Sequence, residues 1–155
     1  MKLESKENIL IIYLKKQLID TIDFTKKNEL EKYFKELFLK LKEYYNIKIN
    51  GYYNINVYID EFYGVVLELQ KEELDYYEYF DNQVDMHILT EEVQFLYLIE
   101  DYFIINELNI SKLYYYKDKY YILPNINTDY NYLLENSEVI YKNTKEIIKF
   151  GRVIK

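Results

Sequence analysis

The chain has 155 residues, of which 50% are hydrophobic, with 20 Lys and Arg against 27 Asp and Glu. This length fits one domain or two small ones, and the hydrophobic fraction argues against wholesale disorder. The absence of Cys excludes disulfides, thiol nucleophiles and cysteine-bound metal, and 3 isolated Gly cannot build a phosphate-binding loop. We therefore expect no cofactor.

The first half of the sequence predicts one strand, one helix and two further strands. Residues 8–14 form a short apolar run, which is typical of a buried strand. Apolar residues then recur at steps of three and four from Leu30 to Tyr45, which predicts a helix that Thr25 or Asn28 caps and Asn46 ends.

Two strands follow the helix. Ile55, Val57 and Ile59 alternate with polar or amphipathic residues, and a turn through residues 60–64 leads into the apolar run at residues 65–69. The next segment, Leu74–Phe80, suits a short helix as well as an edge strand.

A second unit is predicted to begin at Val84. Residues 113–123 read as a β-hairpin that turns at Lys117-Asp118, and Pro124 stops it because proline cannot donate to a continuing ladder. The other elements predicted in this half are extended segments at 86–89 and 93–99, a helical turn at 101–109, a short helix that Thr128 caps, a strand at 139–141, a helix opened by Asn143-Thr144, and a final strand at 153–154.

These elements predict an α+β fold in two small compact units, residues 1–83 and 84–155. The first is strand–helix–strand–strand, and the second is a tyrosine-rich hairpin with short helices. No linker rich in Gly, Ser or Pro divides them, so we expect the units to pack closely or to form one composite domain.

Residue chemistry does not point to an enzyme. The single His, His87, has Asp85 two residues away, but no Ser lies in a nucleophile-elbow sequence. Paired acids are abundant, yet adjacent exposed carboxylates lack the distinct environments that acid–base catalysis needs. We expect a non-enzymatic protein with His87 at a surface or sheet edge, and no catalytic, cofactor-binding or metal-binding residues.

Negative charge is concentrated in one part of the chain. Residues 60–107 hold 14 acids against one base, Lys71. Such a block repels phosphate, so we do not expect direct nucleic-acid binding. It would attract a basic protein surface or imitate a nucleic acid; the other interpretation is a solvated acidic face.

Tyrosine is the second unusual feature, with 21 residues, part of which reflects a composition typical of an AT-rich bacterial coding sequence. On a hairpin, Tyr114 and Tyr116 would share one face and Tyr115 the other, with one face in the core and the other exposed or bound to a partner. A purely structural role and single-strand nucleic-acid stacking are the alternatives. The predicted protein-binding residues are Glu72, Glu73, Asp75, Tyr76, Tyr77, Glu78, Tyr79, Asp81, Asp85, Tyr114, Tyr116 and Tyr120.

The order of elements resembles the MecA-type adaptor family. The matching segments are Glu36-Leu37-Phe38, Ile49-Asn50-Gly51 and Val65-Val-Leu-Glu-Leu-Gln-Lys71 for the amino-terminal domain, and Gln94-Phe95, Leu108, Leu113-Tyr114, Lys119-Tyr-Tyr-Ile122, Leu133-Leu134-Glu135 and Phe150-Gly151-Arg152-Val153-Ile154 for the carboxy-terminal domain. The family's long acidic linker is missing, replaced at best by residues 70–85, and the helix around Leu133 is shortened. No contact residue of the family is therefore transferred.

The resemblance implies an adaptor for a Clp-type AAA+ unfoldase, with one domain recruiting a client and the other docking on the unfoldase. The sequence thus predicts a non-enzymatic adaptor or regulator whose partner has a basic surface. The alternative is an acidic, phage-type inhibitor that mimics nucleic acid and blocks the basic cleft of a nucleic-acid-binding protein. A polar start and the lack of any membrane-length apolar run indicate a cytoplasmic protein without membrane contact.

Overall fold

Two five-stranded sheets organise the fold, as seen in a computed structural model that describes residues 1–19, 21–72 and 84–155. The chain divides into two compact units. Unit 1 comprises Met1–Ile59 and Gly64–Glu91, and unit 2 comprises Asp60–Tyr63 and Glu92–Lys155. The predicted α+β fold with two units is confirmed. The ambiguous segment Leu74–Phe80 lies outside the described residues.

Unit 1 contains the first sheet and one long helix. The strand order is β1-β2-β4-β3-β5. The elements are β1 (Lys2–Lys6), β2 (Ile9–Lys15), α1 (Lys27–Tyr45), β3 (Gly51–Asp60), β4 (Gly64–Glu72) and β5 (Val84–Glu92). The predicted strand–helix–strand–strand series corresponds to β2, α1, β3 and β4, and β1 and β5 extend this sheet on its two sides.

Helix α1 supplies one side of the core of unit 1. Its buried residues are Leu30, Phe34, Leu37, Phe38 and Leu41, at the predicted helical spacing. The helix ends as predicted at Asn46, whose φ of 53° is the left-handed conformation that asparagine tolerates.

The predicted start of α1 was wrong. The N-cap residue is Lys26, and it makes no side-chain capping bond. Thr25 instead donates its backbone N–H, at 2.9 Å, and its hydroxyl to the Asp23 carboxylate, so it belongs to a local turn before the helix.

The strands of unit 1 complete this core. In β3 the side chains of Ile55 and Val57 are buried and Ile59 is partly buried against the same core, which confirms the predicted alternation, and Tyr53 adds to the buried face. Strand β5 adds Val84 and Ile88 to the same core and is hydrogen-bonded next to β3. The sequence division at 83/84 therefore differs from the observed grouping, in which this strand lies in unit 1. The polar residues Thr90–Glu92, predicted to separate two extended segments, continue β5.

Unit 2 contains the second sheet, with the order β10-β7-β8-β6-β9 and antiparallel pairing throughout. Its elements are β6 (Leu96–Ile99), a 3₁₀ helix (Tyr102–Glu107), β7 (Ile110–Tyr116), β8 (Lys119–Pro124), α2 (Tyr130–Glu135), β9 (Glu138–Ile140), α3 (Thr144–Phe150) and β10 (Arg152–Val153). No described helix is both long and apolar enough to cross a bilayer.

The predicted hairpin turn at Lys117-Asp118 is confirmed. Both residues have positive φ, 48° and 65°, and they connect the antiparallel strands β7 and β8. Two consecutive residues of positive φ match the right-handed twist of the flanking strands, which is why this kind of two-residue turn is favoured in hairpins. The turn thereby fixes the pairing of every tyrosine in the two strands.

The predicted cap of α2 was wrong by one residue. Asp129 is the N-cap, and its carboxylate accepts a hydrogen bond from the Tyr132 N–H at 3.1 Å. Thr128 is buried, and its hydroxyl instead accepts from the Asn125 N–H at 2.9 Å and donates to the Asn109 carbonyl. Thr128 therefore connects two loops.

We expect Gly64→Ala to destabilise unit 1. Gly64 has a φ of 124°, and an added Cβ would lie 2.7 Å from the Lys16 backbone nitrogen and against the Leu14 carbonyl oxygen. Backbone atoms cannot move aside as a flexible side chain would, so the free energy of unfolding should fall by about 1–3 kcal/mol. Urea denaturation measures this. The exposed strand variant Ser5→Ala is the control and should change it by less than about 0.5 kcal/mol; equal effects would contradict the explanation.

Candidate protein-contact surface

The structure separates the predicted contact residues. Glu73, Asp75, Tyr76, Tyr77, Glu78, Tyr79 and Asp81 lie outside the described residues. Of the others, Glu72 and Asp85 belong to unit 1, whereas Tyr114, Tyr116 and Tyr120 belong to unit 2. The described contact residues thus fall into two groups, one in each unit.

The contact residues described in unit 1 are exposed. Glu72 ends β4 and accepts a hydrogen bond from the Asn54 side-chain amide. Asp85 and His87 both lie exposed on β5, the last strand in the sheet order. The prediction that His87 lies at a surface or edge is confirmed.

One face of the β7–β8 hairpin belongs to the core of unit 2. Tyr114 is 2% exposed and packs with Leu96, Tyr121 and Ile147. Tyr116 packs against the same cluster, as the predicted alternation requires. Tyr114 was therefore wrongly predicted as a contact residue, because the pleat points its ring to the side on which α3 contributes Ile147.

The opposite face of the hairpin is buried at Leu113 and Ile122 and carries half-buried tyrosine rings nearer the turn. Tyr115 and Tyr120 are directly paired across the strands, and their ring centroids are 5.0 Å apart. The Tyr102 ring, 43% exposed, stands edge-on to Tyr120 at 5.1 Å. We call Tyr102, Tyr115 and Tyr120 the tyrosine surface.

Sequence reasoning found only part of this surface. It proposed Tyr120 and missed Tyr102 and Tyr115. Tyr115 could have been found, because a turn at Lys117-Asp118 pairs it with Tyr120. No sequence signal reveals Tyr102, since it reaches Tyr120 from the 3₁₀ helix only through tertiary packing.

Carboxylates accompany the tyrosine surface. Asp118 accepts a hydrogen bond from the Tyr115 hydroxyl at 2.8 Å, and this bond together with the negative charge raises the pKa of Tyr115. Glu100 and Asp101, both exposed, immediately precede Tyr102. Asp101 accepts from the N–H of Phe103, whose side chain is 77% exposed. Aromatic and acidic groups are thus adjacent.

A second group of polar atoms in unit 2 lies around the partly buried Asp60. Its carboxylate accepts three backbone N–H bonds, from Phe62 at 3.0 Å, from Tyr63 at 2.8 Å and from Phe95 at 3.0 Å. Burial raises the pKa of Asp60, and the three N–H donors oppose this shift without cancelling it. The carboxylate holds the turn 60–63 against the start of β6.

Tyr97 lies beside this carboxylate. Its ring is in edge contact with Phe62 at 5.8 Å, and its side chain is fully buried. Burial, followed by the negative charge of Asp60, strongly raises the pKa of Tyr97, so the hydroxyl stays protonated. That hydroxyl finds no hydrogen-bond partner within the described parts of the chain. The arrangement is suited to holding the fold together rather than to proton transfer.

No group of three or more His, Asp or Glu residues in the described ranges could hold a metal ion. Comparisons with protein-family models, with curated proteins and with solved structures found no match to this chain. The MecA-type resemblance therefore stays a prediction that rests on the sequence.

We expect Asp60→Asn to lower the free energy of unfolding by about 1–3 kcal/mol, because an amide nitrogen cannot accept a hydrogen bond, whereas both carboxyl oxygens can accept in either protonation state and share three N–H donors. The pKa of Asp60 is raised on folding, so the folded protein binds more protons between the unfolded and folded pKa values. Ionisation in that interval makes wild-type stability fall as the pH rises.

Chemical denaturation of wild type and Asp60→Asn at several pH values from about 3.5 to 6.5 tests both statements, since the unfolded pKa is about 3.9. The stability difference should be largest at the acid end and shrink toward neutrality. A difference that grows with pH would contradict the raised pKa. The exposed-carboxylate control Glu146→Gln should shift stability by less than about 0.5 kcal/mol.

We expect Tyr97→Phe to raise the free energy of unfolding by about 1 kcal/mol, because it removes a buried hydroxyl without a protein partner among the described residues. Tyr13→Phe is the matched control. It removes a hydroxyl that donates to Glu4 at 2.9 Å and should lower stability by about 0.5–1 kcal/mol. Thermal and urea unfolding measure both, and a loss of stability in Tyr97→Phe would show that its hydroxyl is satisfied.

Proposed function

We propose that this chain is a non-enzymatic protein-binding adaptor or regulator that contacts its partner through the tyrosine surface. One observation carries the proposal. Three tyrosine rings, at successive centroid distances of 5.1 and 5.0 Å, contact one another on a partly exposed sheet face next to carboxylates.

Packed tyrosines are well suited to protein contacts. The ring provides a large apolar area, the hydroxyl remains compatible with water, and only two side-chain torsions have to be fixed on binding. Tyr115 and Tyr120 are held by cross-strand pairing, and the Tyr115 hydroxyl is further fixed by Asp118. Little conformational entropy is therefore left to lose when a partner binds.

The charge around the surface favours a basic partner. Asp118 bonds Tyr115, and Glu100 and Asp101, which precede Tyr102 in the chain, are exposed. These charges would accelerate encounter with a positively charged protein surface. Other acids of the 60–107 block are used inside the fold. Asp60 accepts three backbone bonds, and Glu68 is 6% exposed and accepts from the Tyr58 hydroxyl at 3.3 Å.

The resemblance to MecA-type adaptors makes a Clp-type unfoldase and its client the partners that we propose, and a cytoplasmic location is part of the same proposal. Asp60 and Glu68 are engaged within the fold and would not be available to a nucleic-acid mimic, which needs its carboxylates free on the surface. The identity of the recovered partner distinguishes the nucleic-acid mimic from the adaptor.

The tagged protein should retain its partner only when the tyrosine surface is intact. We expect Tyr102→Ser combined with Tyr120→Ser to reduce recovery of a specific protein from the native host about tenfold, as loss of interface anchors does. Tyr44→Ser combined with Tyr45→Ser removes two exposed tyrosines at the end of α1 and should leave recovery unchanged. Quantitative mass spectrometry measures recovery, and thermal unfolding confirms that both variants fold.

Recovery of a Clp-type unfoldase that depends on the tyrosine surface would support the adaptor. Recovery of a nucleic-acid-binding protein whose basic cleft is occupied would support the mimic instead. Equal recovery by all three proteins would refute the proposed contact surface.

A further inference from the structure

Four strands of the second sheet bring a row of side chains together on the face of the tyrosine surface. Arg152 on β10 is paired with Tyr115 on β7, Tyr115 with Tyr120 on β8, and Tyr120 with Ile99 on β6. Directly paired residues of antiparallel strands project their side chains to the same face. The chain's single Arg therefore lies on the same face and in the same row as the tyrosines.

The exposed part of this row has a defined length. Ile99, at the β6 end of the row, is buried. The Tyr102 ring contacts the Tyr120 ring and therefore lies at this same end. The accessible row is thus Arg152–Tyr115–Tyr120–Tyr102, in which the two end residues are exposed and the two central rings are half-buried. Neighbouring strands lie about 4.8 Å apart, so the row spans about 14 Å. An extended peptide rises about 3.3 Å per residue and would cover it with about five residues.

The two ends of the row carry opposite charge. Arg152, at the β10 end, is exposed and offers a planar guanidinium that can bind a carboxylate with two hydrogen bonds. Asp101, also exposed, immediately precedes Tyr102 at the other end. The rings between these ends can pack against an apolar side chain.

We propose that this row binds an extended segment of the partner protein, with an acidic residue at Arg152, an aromatic or aliphatic residue over the tyrosines, and a Lys or Arg near Asp101. The inference rests on the proposed function and specifies the chemistry of what the tyrosine surface binds.

Charge placement favours a peptide over single-stranded nucleic acid. Stacking platforms for nucleic acid need cations along the whole backbone path. Here Arg152 is the basic member of the row, and Lys117 extends over the Tyr116 ring on the opposite face, at 5.2 Å. Asp118, bonded to Tyr115, would repel phosphate.

The test uses the full chain and synthetic five-residue peptides. The probes are acetyl-Lys-Ala-Tyr-Ala-Glu-amide, the same residues in reverse order, and acetyl-Gln-Ala-Tyr-Ala-Gln-amide. Backbone amide NMR titration should show that at least one charged peptide binds, with shifts at Tyr115, Tyr120 and Arg152, and binds about fivefold more tightly than the uncharged one. Equal affinity for the charged and uncharged peptides would overturn the inference.

A charge exchange makes the assignment of Arg152 specific. Arg152→Glu should weaken binding of the charged peptide about fivefold. A peptide with Lys in place of Glu should bind this variant with the affinity that the substitution removed. The control Lys145→Glu makes the same reversal at an exposed position of α3 and should leave affinity unchanged. If Arg152→Glu weakens binding of the charged peptide but the Lys peptide does not restore the affinity, a direct pairing of Arg152 with the peptide's Glu would be contradicted.

The outcomes also separate this inference from the proposed function. If the tyrosine substitutions abolish partner recovery while Arg152→Glu alters neither recovery nor peptide affinity, the contact surface stands and the peptide mode falls. If a ten-residue oligothymidylate binds the row more tightly than the charged peptides do, the peptide mode falls in favour of nucleic acid.

Discussion

The register of one hairpin decides what unit 2 presents to its surroundings. Lys117 and Asp118, both at positive φ, connect β7 to β8 without additional residues and so fix which tyrosines face each other. Side chains alternate between the two faces of a strand, so a slip by one residue would exchange buried and exposed rings. The tyrosine surface, the core face and the alignment with Arg152 all depend on this register.

Tyrosine therefore has two physical roles within one sheet. Tyr114 and Tyr121 are buried with Ile147, where the ring area contributes to the core. Tyr115 and Tyr120 face the other side, where each ring packs against the next and the Tyr115 hydroxyl bonds Asp118. The pleat of the sheet determines which of the tyrosines remain available for contact.

Acidic residues also divide between structure and surface. Asp60 is an internal anchor, since its carboxylate organises a turn and reaches the Phe95 backbone. Glu100 and Asp101 stay exposed beside Tyr102. A strongly negative stretch of sequence is therefore not one uniform acidic face. Part of the surface charge lies beside aromatic rings, as at Asp118 and Tyr115, and this combination favours a protein partner over a phosphate-bearing one.

Local pattern in the sequence was enough to predict α1, the alternation of β3 and the β7–β8 hairpin, because helical spacing, strand alternation and turn chemistry involve neighbours along the chain. The sheet membership of β5, the capping role of Asp129, the contact of Tyr102 with Tyr120 and the alignment of Arg152 with Tyr115 needed the tertiary structure. Each of these features requires one contact to form among several possible ones, some of them with residues distant in sequence. Side-chain packing determines which contact forms. The sequence by itself determined the kinds of element and the supply of tyrosine and charge; the tertiary structure decided which of these side chains meet.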